Sequence, residues 1–187
     1  MGAHPMLSRR GAFRLTAGAL LAGWTLPTIA GAAEAVATWT PRALNADQAR
    51  TLSAAADAML PVTDTPGALA AGVPQFVDRT LADWSRPDDA ARIKAALDAI
   101  DAAAQAASGK AFAALEPAER TALLARLDAE ARRAKGPDGF RQLKDLVSTG
   151  YFTSQIGATQ ALRYDPVPGA YHGCVPVKEI GRAWATS

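Results

Sequence analysis

Residues that usually carry chemistry are scarce in this chain. Its 187 residues include one cysteine and two histidines, and aromatic residues make up only 6%. A zinc site needs three or four protein ligands, so these few donors argue against a metal centre. The motifs for covalent haem, for a dinucleotide-binding turn and for a phosphate-binding loop are also missing. The sequence therefore predicts a chain that holds no metal or cofactor of its own.

The N-terminal segment has the pattern of an export signal. Arg9 and Arg10 lie in Ser8–Phe13, which resembles a twin-arginine (Tat) motif with its phenylalanine one position late, and an uncharged run follows. Threonines and a proline interrupt that run, which suits a cleaved signal better than an apolar anchor of about 20 residues. We expect a signal over residues 1–32, cleaved after residue 32 or 33, and a periplasmic protein exported by the Tat translocase.

Cleavage would leave 155 residues, enough for one domain with a core. The signal takes three arginines and no acidic residue, which leaves 17 basic and 18 acidic residues. This balance does not indicate nucleic-acid binding. A single cysteine cannot form a disulfide within its own chain, so we expect Cys174 to be free and buried, reactive, or paired with another chain.

Helical periodicity begins after a predicted tether at residues 33–44. Asn45 and Gln48 have the spacing of a capping box, as do Ser85 and Asp88. Apolar residues at helical spacing then predict five helices. Their buried stripes are expected at Leu52, Ala55, Ala56 and Met59; Phe76, Val77, Leu81 and Trp84; Ile93, Leu97, Ile100 and Ala104; Leu123, Leu124, Leu127 and Ala131; and Phe140, Leu143, Leu146, Val147 and Tyr151. The predicted fold class is all-α, a small helical bundle over residues 45–187.

The bundle is expected to end in an extended C-terminal arm, residues 150–187, rich in proline, glycine and tyrosine. All three tyrosines of the chain lie there, at Tyr151, Tyr164 and Tyr171. Prolines and glycines between residues 163 and 176 exclude a helix interior and a central strand. Tyrosines spaced along an extended segment favour a protein interface. An arm packed on its own helices is the alternative.

Two further residues of the arm leave other functions open. His172 and Cys174 are two positions apart, so on extended backbone their side chains would share a face. A cysteine nucleophile with a histidine base would make this chain an independent small enzyme. A ligand-binding module, with the arm as its lid, is another alternative.

Two sequence blocks carry a family resemblance. They are Gly150–Ala158 running on to Leu162–Cys174, and Leu60–Val73. On these blocks the chain resembles the gluconate 2-dehydrogenase subunit 3 family, the small (gamma) subunit of membrane-bound, FAD-dependent sugar and sugar-acid dehydrogenases. The resemblance implies a non-catalytic subunit that supports the folding, Tat co-export and assembly of a flavoprotein large subunit of the glucose-methanol-choline (GMC) type.

The resemblance also implies where the cofactors and contacts lie. FAD is expected in the large subunit and haem c in a multihaem cytochrome c subunit, and the complex would hold this chain at the inner membrane. Gluconate, glucose and 2-ketogluconate all remain open as the substrate. An interchain disulfide through Cys174 is a hypothesis. The partner interface is expected at Tyr151, Arg163, Tyr164, Asp165, Tyr171, His172 and Cys174.

Overall fold

The computed structural model describes residues 39–167, 169 and 174–185. Within these residues the elements are α1 (Ala46–Met59), α2 (Val73–Asp83), α3 (Pro87–Ser108), a 3-10 turn (Phe112–Ala114), α4 (Pro117–Arg133), α5 (Gly139–Phe152), a π-helical turn (Gly157–Ala161) and α6 (Val177–Ile180). This part of the chain contains no strand, which confirms the predicted all-α class. The twin-arginine motif, Tyr171 and His172 lie outside the described residues.

Local sequence chemistry sets several helix ends. The Asn45 side chain accepts from the Gln48 N–H at 2.8 Å, and the Gln48 side chain accepts from the Asn45 N–H at 3.2 Å, which confirms this capping box. The predicted box at Ser85 is wrong. The N-cap of α3 is Arg86, without a side-chain cap, and Pro87 occupies the first helical position, where its missing N–H costs no helical hydrogen bond.

The predicted stripes assemble into one core. α1 packs against α2, α3 and α4, and α5 packs against the same three helices. The largest fully buried side chains are Phe112, Leu52, Leu97, Ile100, Leu143, Val73, Val77 and Val147. Trp84 is the exception among the predicted positions, with 82% of its surface exposed. The chain leaves helical geometry at this residue, the C-cap of α2, so its side chain no longer follows the α2 stripe.

The last residues of the predicted tether, 42–44, are part of the folded domain. The carboxylate of Asp78, only 3% exposed, accepts from the N–H groups of Arg42, Ala43 and Leu44 at 2.8, 3.0 and 3.1 Å. Three backbone donors satisfy a carboxylate that burial would otherwise penalise. The Arg42 side chain also forms a bidentate ion pair with Asp83, and this hydrogen bonding raises the pKa of Arg42. Residues 42–44 are therefore fixed to α2.

Candidate partner interface

The first part of the predicted arm is a tight helical corner, residues 150–162. α5 ends at Phe152, and Ser154 Oγ then donates to the Tyr151 carbonyl at 2.6 Å and accepts from the Gly157 N–H at 3.0 Å. The π-helical turn follows, and the backbone becomes extended at Leu162, with φ −103° and ψ 170°. This corrects the predicted start of the extended arm, because helical backbone continues to residue 161.

Two glycines allow the corner to pack closely. A Cβ atom on Gly157 would lie 1.9 Å from the Tyr151 carbonyl oxygen, and one on Gly150 would lie 2.6 Å from Phe76 Cδ1. Both distances are far inside van der Waals contact, so a larger residue would displace its neighbour. Glycine thus lets α5 lie directly against α2 and lets the corner fold back on the end of α5.

Tyr151 joins the two blocks that carry the family resemblance. Its ring is 4% exposed, and its hydroxyl donates to the Pro66 carbonyl at 2.8 Å and lies 3.3 Å from Thr65 Oγ1. The predicted place of Tyr151 in the α5 stripe is confirmed. Its predicted place on the partner interface is corrected, because both the ring and the hydroxyl make contacts inside this domain.

Most of the described arm residues beyond the corner are exposed. Tyr164 is 52% exposed and Val167 is 80% exposed, and Arg163 and Asp165 also lie at the surface. The Val167 N–H donates to Asp165 Oδ1 at 3.1 Å, which bends the chain locally. Cys174 is an exposed free thiol, so the buried-thiol alternative does not hold. These residues are accessible to another chain, and their contact with a partner stays a prediction.

The C-terminal segment returns to the beginning of the arm, a contact that sequence analysis missed. The Arg163 N–H donates to the Ala183 carbonyl and the Ala185 N–H donates to the Arg163 carbonyl, both at 2.8 Å, in an isolated parallel bridge. The Arg163 guanidinium lies over the Trp184 ring, 4.3 Å from its centroid. This is the geometry of a cation–π interaction.

A second arginine adds to the contacts between the C-terminal segment and the beginning of the arm. The Arg182 guanidinium donates a hydrogen bond to the Gln160 carbonyl of the π-helical turn. We call the side-chain and backbone contacts of these residues the clamp: Gln160, Arg163, Arg182, Ala183, Trp184 and Ala185. The available sequence signal was a tryptophan two residues after an arginine, at Arg182 and Trp184. Its partner lies about 20 residues earlier in the chain, beyond the reach of a local pattern.

Two carboxylates of α3, Asp98 and Asp101, bind neighbouring segments of the domain. Asp98 accepts from the Gln48 side-chain amide at 3.0 and 3.1 Å, and Asp101 accepts from the Phe112 N–H at 2.8 Å. Both line an open cleft of about 410 Å³ between α1 and α3. Within the described residues, no group of three or more histidines, cysteines and carboxylates is placed to hold a metal. None of the helices described there is long and apolar enough to cross a membrane.

The fold defines a class: a small all-α domain whose described residues include an exposed arm after the helical core. The family model for gluconate 2-dehydrogenase subunit 3 matches residues 46–169, about two thirds of the chain, and this chain belongs to that family. The family name implies association with other subunits of a gluconate dehydrogenase complex. Comparisons with curated proteins and with solved structures find no match.

Proposed function

We propose that this chain is the non-catalytic small subunit of a periplasmic, FAD-dependent dehydrogenase complex of the gluconate 2-dehydrogenase type. The observation that carries the proposal is family membership over residues 46–169. In this complex a GMC-type flavoprotein large subunit holds FAD and oxidises a sugar or sugar acid. A multihaem cytochrome c subunit receives the electrons. The small subunit supports folding, export and assembly of the large subunit.

The twin arginines Arg9 and Arg10 support export by the Tat pathway, a route that accepts folded cargo. The buried carboxylate of Asp78 holds residues 42–44, and only nine residues lie between the predicted cleavage site after Ala32 and Arg42. The stretch of sequence between the predicted signal and the folded domain is therefore short. A large subunit bound to that domain would cross the membrane with it and stay at the inner membrane through the complex.

The proposed contact with the large subunit is the exposed part of the arm. Tyr164 and Cys174 are accessible there, and tyrosine is a residue type enriched at interfaces. We retain Tyr171 and His172 as predicted contacts, although they lie outside the described residues. Cys174 is proposed to form an interchain disulfide with the large subunit in the oxidising periplasm.

Purification of the complex tests the proposal. An affinity tag inserted after Lys135, in the exposed loop between α4 and α5, avoids both the signal and the clamp. We expect the tagged chain, isolated from native membranes without reductant, to bring an equal amount of a flavin-containing protein. A chain that arrives alone and without flavin absorbance contradicts the proposal and favours an isolated enzyme or a binding module.

Two variants separate export from the disulfide. Replacing Arg9 and Arg10 by lysine should retain both this chain and the flavoprotein in the cytoplasm, whereas retention of this chain alone contradicts co-export. A Cys174→Ser variant should abolish a high-mass band on non-reducing electrophoresis that contains the large subunit. If the wild-type chain already migrates only as free small subunit, the disulfide is excluded and the assembly proposal stands.

A further inference from the structure

We propose that Trp184, held against Arg163 by the clamp, is the centre of the contact with the large subunit. This inference rests on the proposed function and adds the place where the partner binds. Trp184 keeps 45% of its surface exposed beside the Arg163 guanidinium. Tyr164, the residue after Arg163, is also half exposed. Tryptophan, tyrosine and arginine are the residue types that dominate binding energy at protein interfaces.

The contacts of the clamp order the two ends of the arm, and this order favours tight binding of a partner. Both backbone polar groups of Arg163 are engaged by residues 183 and 185, and Arg182 ties the same segment to the carbonyl of Gln160. The two ends of the arm are thus held together before any partner binds. Ordering a loop at the moment of binding weakens the affinity, so a preformed loop binds more tightly than a free one.

The charges around Trp184 indicate the chemistry of the partner. The ion pairs found among the described residues include neither Arg163 nor Arg182. The Arg163 guanidinium over the indole ring and the Arg182 guanidinium at the Gln160 carbonyl of the same clamp suit an apolar pocket whose rim carries carboxylates, since arginine pairs with carboxylates through paired hydrogen bonds. We therefore assign the occupant as such a pocket on the large subunit.

A second copy of this chain is the less suitable occupant. A two-fold contact centred on Trp184 would bring the same patch of both copies together. Arg163 and Arg182 would then face their own counterparts, and like charges across an interface disfavour binding. A different protein with acidic groups avoids this repulsion.

The test compares two exposed tryptophans in the full tagged complex. Trp184→Ala should weaken binding of the flavoprotein about tenfold or more, as expected for a central interface tryptophan. Trp184→Phe should retain part of the affinity, because phenylalanine keeps an aromatic ring for Arg163. Trp84→Ala is the matched control, since Trp84 is exposed but lies outside the clamp, and it should bind as the wild type does. Arg182→Gln should reduce the salt dependence of the affinity.

Two measurements on the Trp184→Ala chain distinguish a lost partner contact from a failure to fold. Trp184→Ala should leave the thermal unfolding temperature close to that of the wild type, because the clamp lies outside the helical core. The same variant should speed hydrogen exchange at the Ala185 amide, which reports opening of the clamp. If the Trp184→Ala chain does unfold, Arg182→Gln still tests the charged part of the contact with the indole in place.

The outcomes separate the inference from the proposed function. Wild-type affinity in Trp184→Ala and Arg182→Gln overturns the inference, and the proposed function then stands. A wild-type chain that captures no flavoprotein overturns both. Loss of self-association in Trp184→Ala, with flavoprotein binding unchanged, shows that a second copy occupies this surface and also overturns the inference.

Discussion

The Tyr151→Phe variant removes a single oxygen atom and is the strongest test of how the helical corner, residues 150–162, packs on the rest of the domain. The Tyr151 hydroxyl is buried and donates to the Pro66 carbonyl at 2.8 Å. Phenylalanine fills the same ring volume, so the main loss is this hydrogen bond and the solvation of the carbonyl left behind. Such a loss lowers the free energy of unfolding by about 1–2 kcal/mol.

Urea and thermal denaturation of the mature chain, followed by far-ultraviolet circular dichroism, measure this change. For a domain of this size, a loss of about 1–2 kcal/mol lowers the melting temperature by about 2–8 °C. Tyr164→Phe is the matched control, because Tyr164 is exposed and makes no side-chain hydrogen bond among the described residues. Its free energy of unfolding should change by less than about 0.5 kcal/mol.

Two patterns of results would refute this assignment of Tyr151. If Tyr151→Phe kept wild-type stability but bound the large subunit more weakly, the hydroxyl would be acting on the partner. The original prediction of Tyr151 as an interface residue would then be right, and its placement between α5 and the turn at Pro66 would be wrong. Equal destabilisation by Tyr164→Phe would also refute it, because the exposed residue would then contribute as much as the buried one.

Three further variants test other contacts. Gly157→Ala should lower the free energy of unfolding by about 1–3 kcal/mol, since its Cβ would meet the Tyr151 carbonyl; an unchanged urea midpoint would contradict this. Asp78→Asn should cost about 1–3 kcal/mol, because an amide has one acceptor oxygen for three backbone donors; the urea midpoint measures this too. The hydrogen bond from Lys144 lowers the pKa of Asp128 from 3.8, so this pair stabilises the fold above that pH and less as pH falls through the lower folded value. Lys144→Met should therefore destabilise the chain at pH 7 and progressively less as the pH falls below 3.8, and a loss that does not change with pH would contradict the assignment.

Short-range patterns were sufficient to predict most of the helices. The Asn45 capping box and the end of α3 before Gly109, whose φ of +70° suits glycine, depend on residues within four positions of each other. The capping box predicted at Ser85 and Asp88 does not form because Pro87 is suited to the first helical position. Arg86 therefore became the N-cap, and the spacing of Ser85 and Asp88 had no effect on the start of the helix.

Contacts between distant residues could not be predicted from such patterns. Asp78 has the sequence context of an ordinary helical carboxylate. The backbone N–H groups that donate hydrogen bonds to it lie about 35 residues earlier in the chain. The Tyr151 hydroxyl bonds a carbonyl 85 residues away. Trp184 pairs with Arg163 only because the chain turns back at the end of the arm. Each pairing depends on the tertiary fold, so the sequence pattern placed Tyr151 both in the α5 stripe and on the partner interface, and it overlooked Trp184.

The first part of the longer family block, Gly150–Ala158, therefore has an architectural role. Gly150, Tyr151 and Gly157 are the residues that let the corner pack on α5, α2 and the turn at Pro66. None of these three offers an exposed side chain to a partner. The motif instead sets the direction in which the chain leaves the bundle, and the clamp then holds the arm in place. The proposed interface lies in the exposed residues beyond the corner, so we expect that exchanging residues 162–187 between family members exchanges their large subunits.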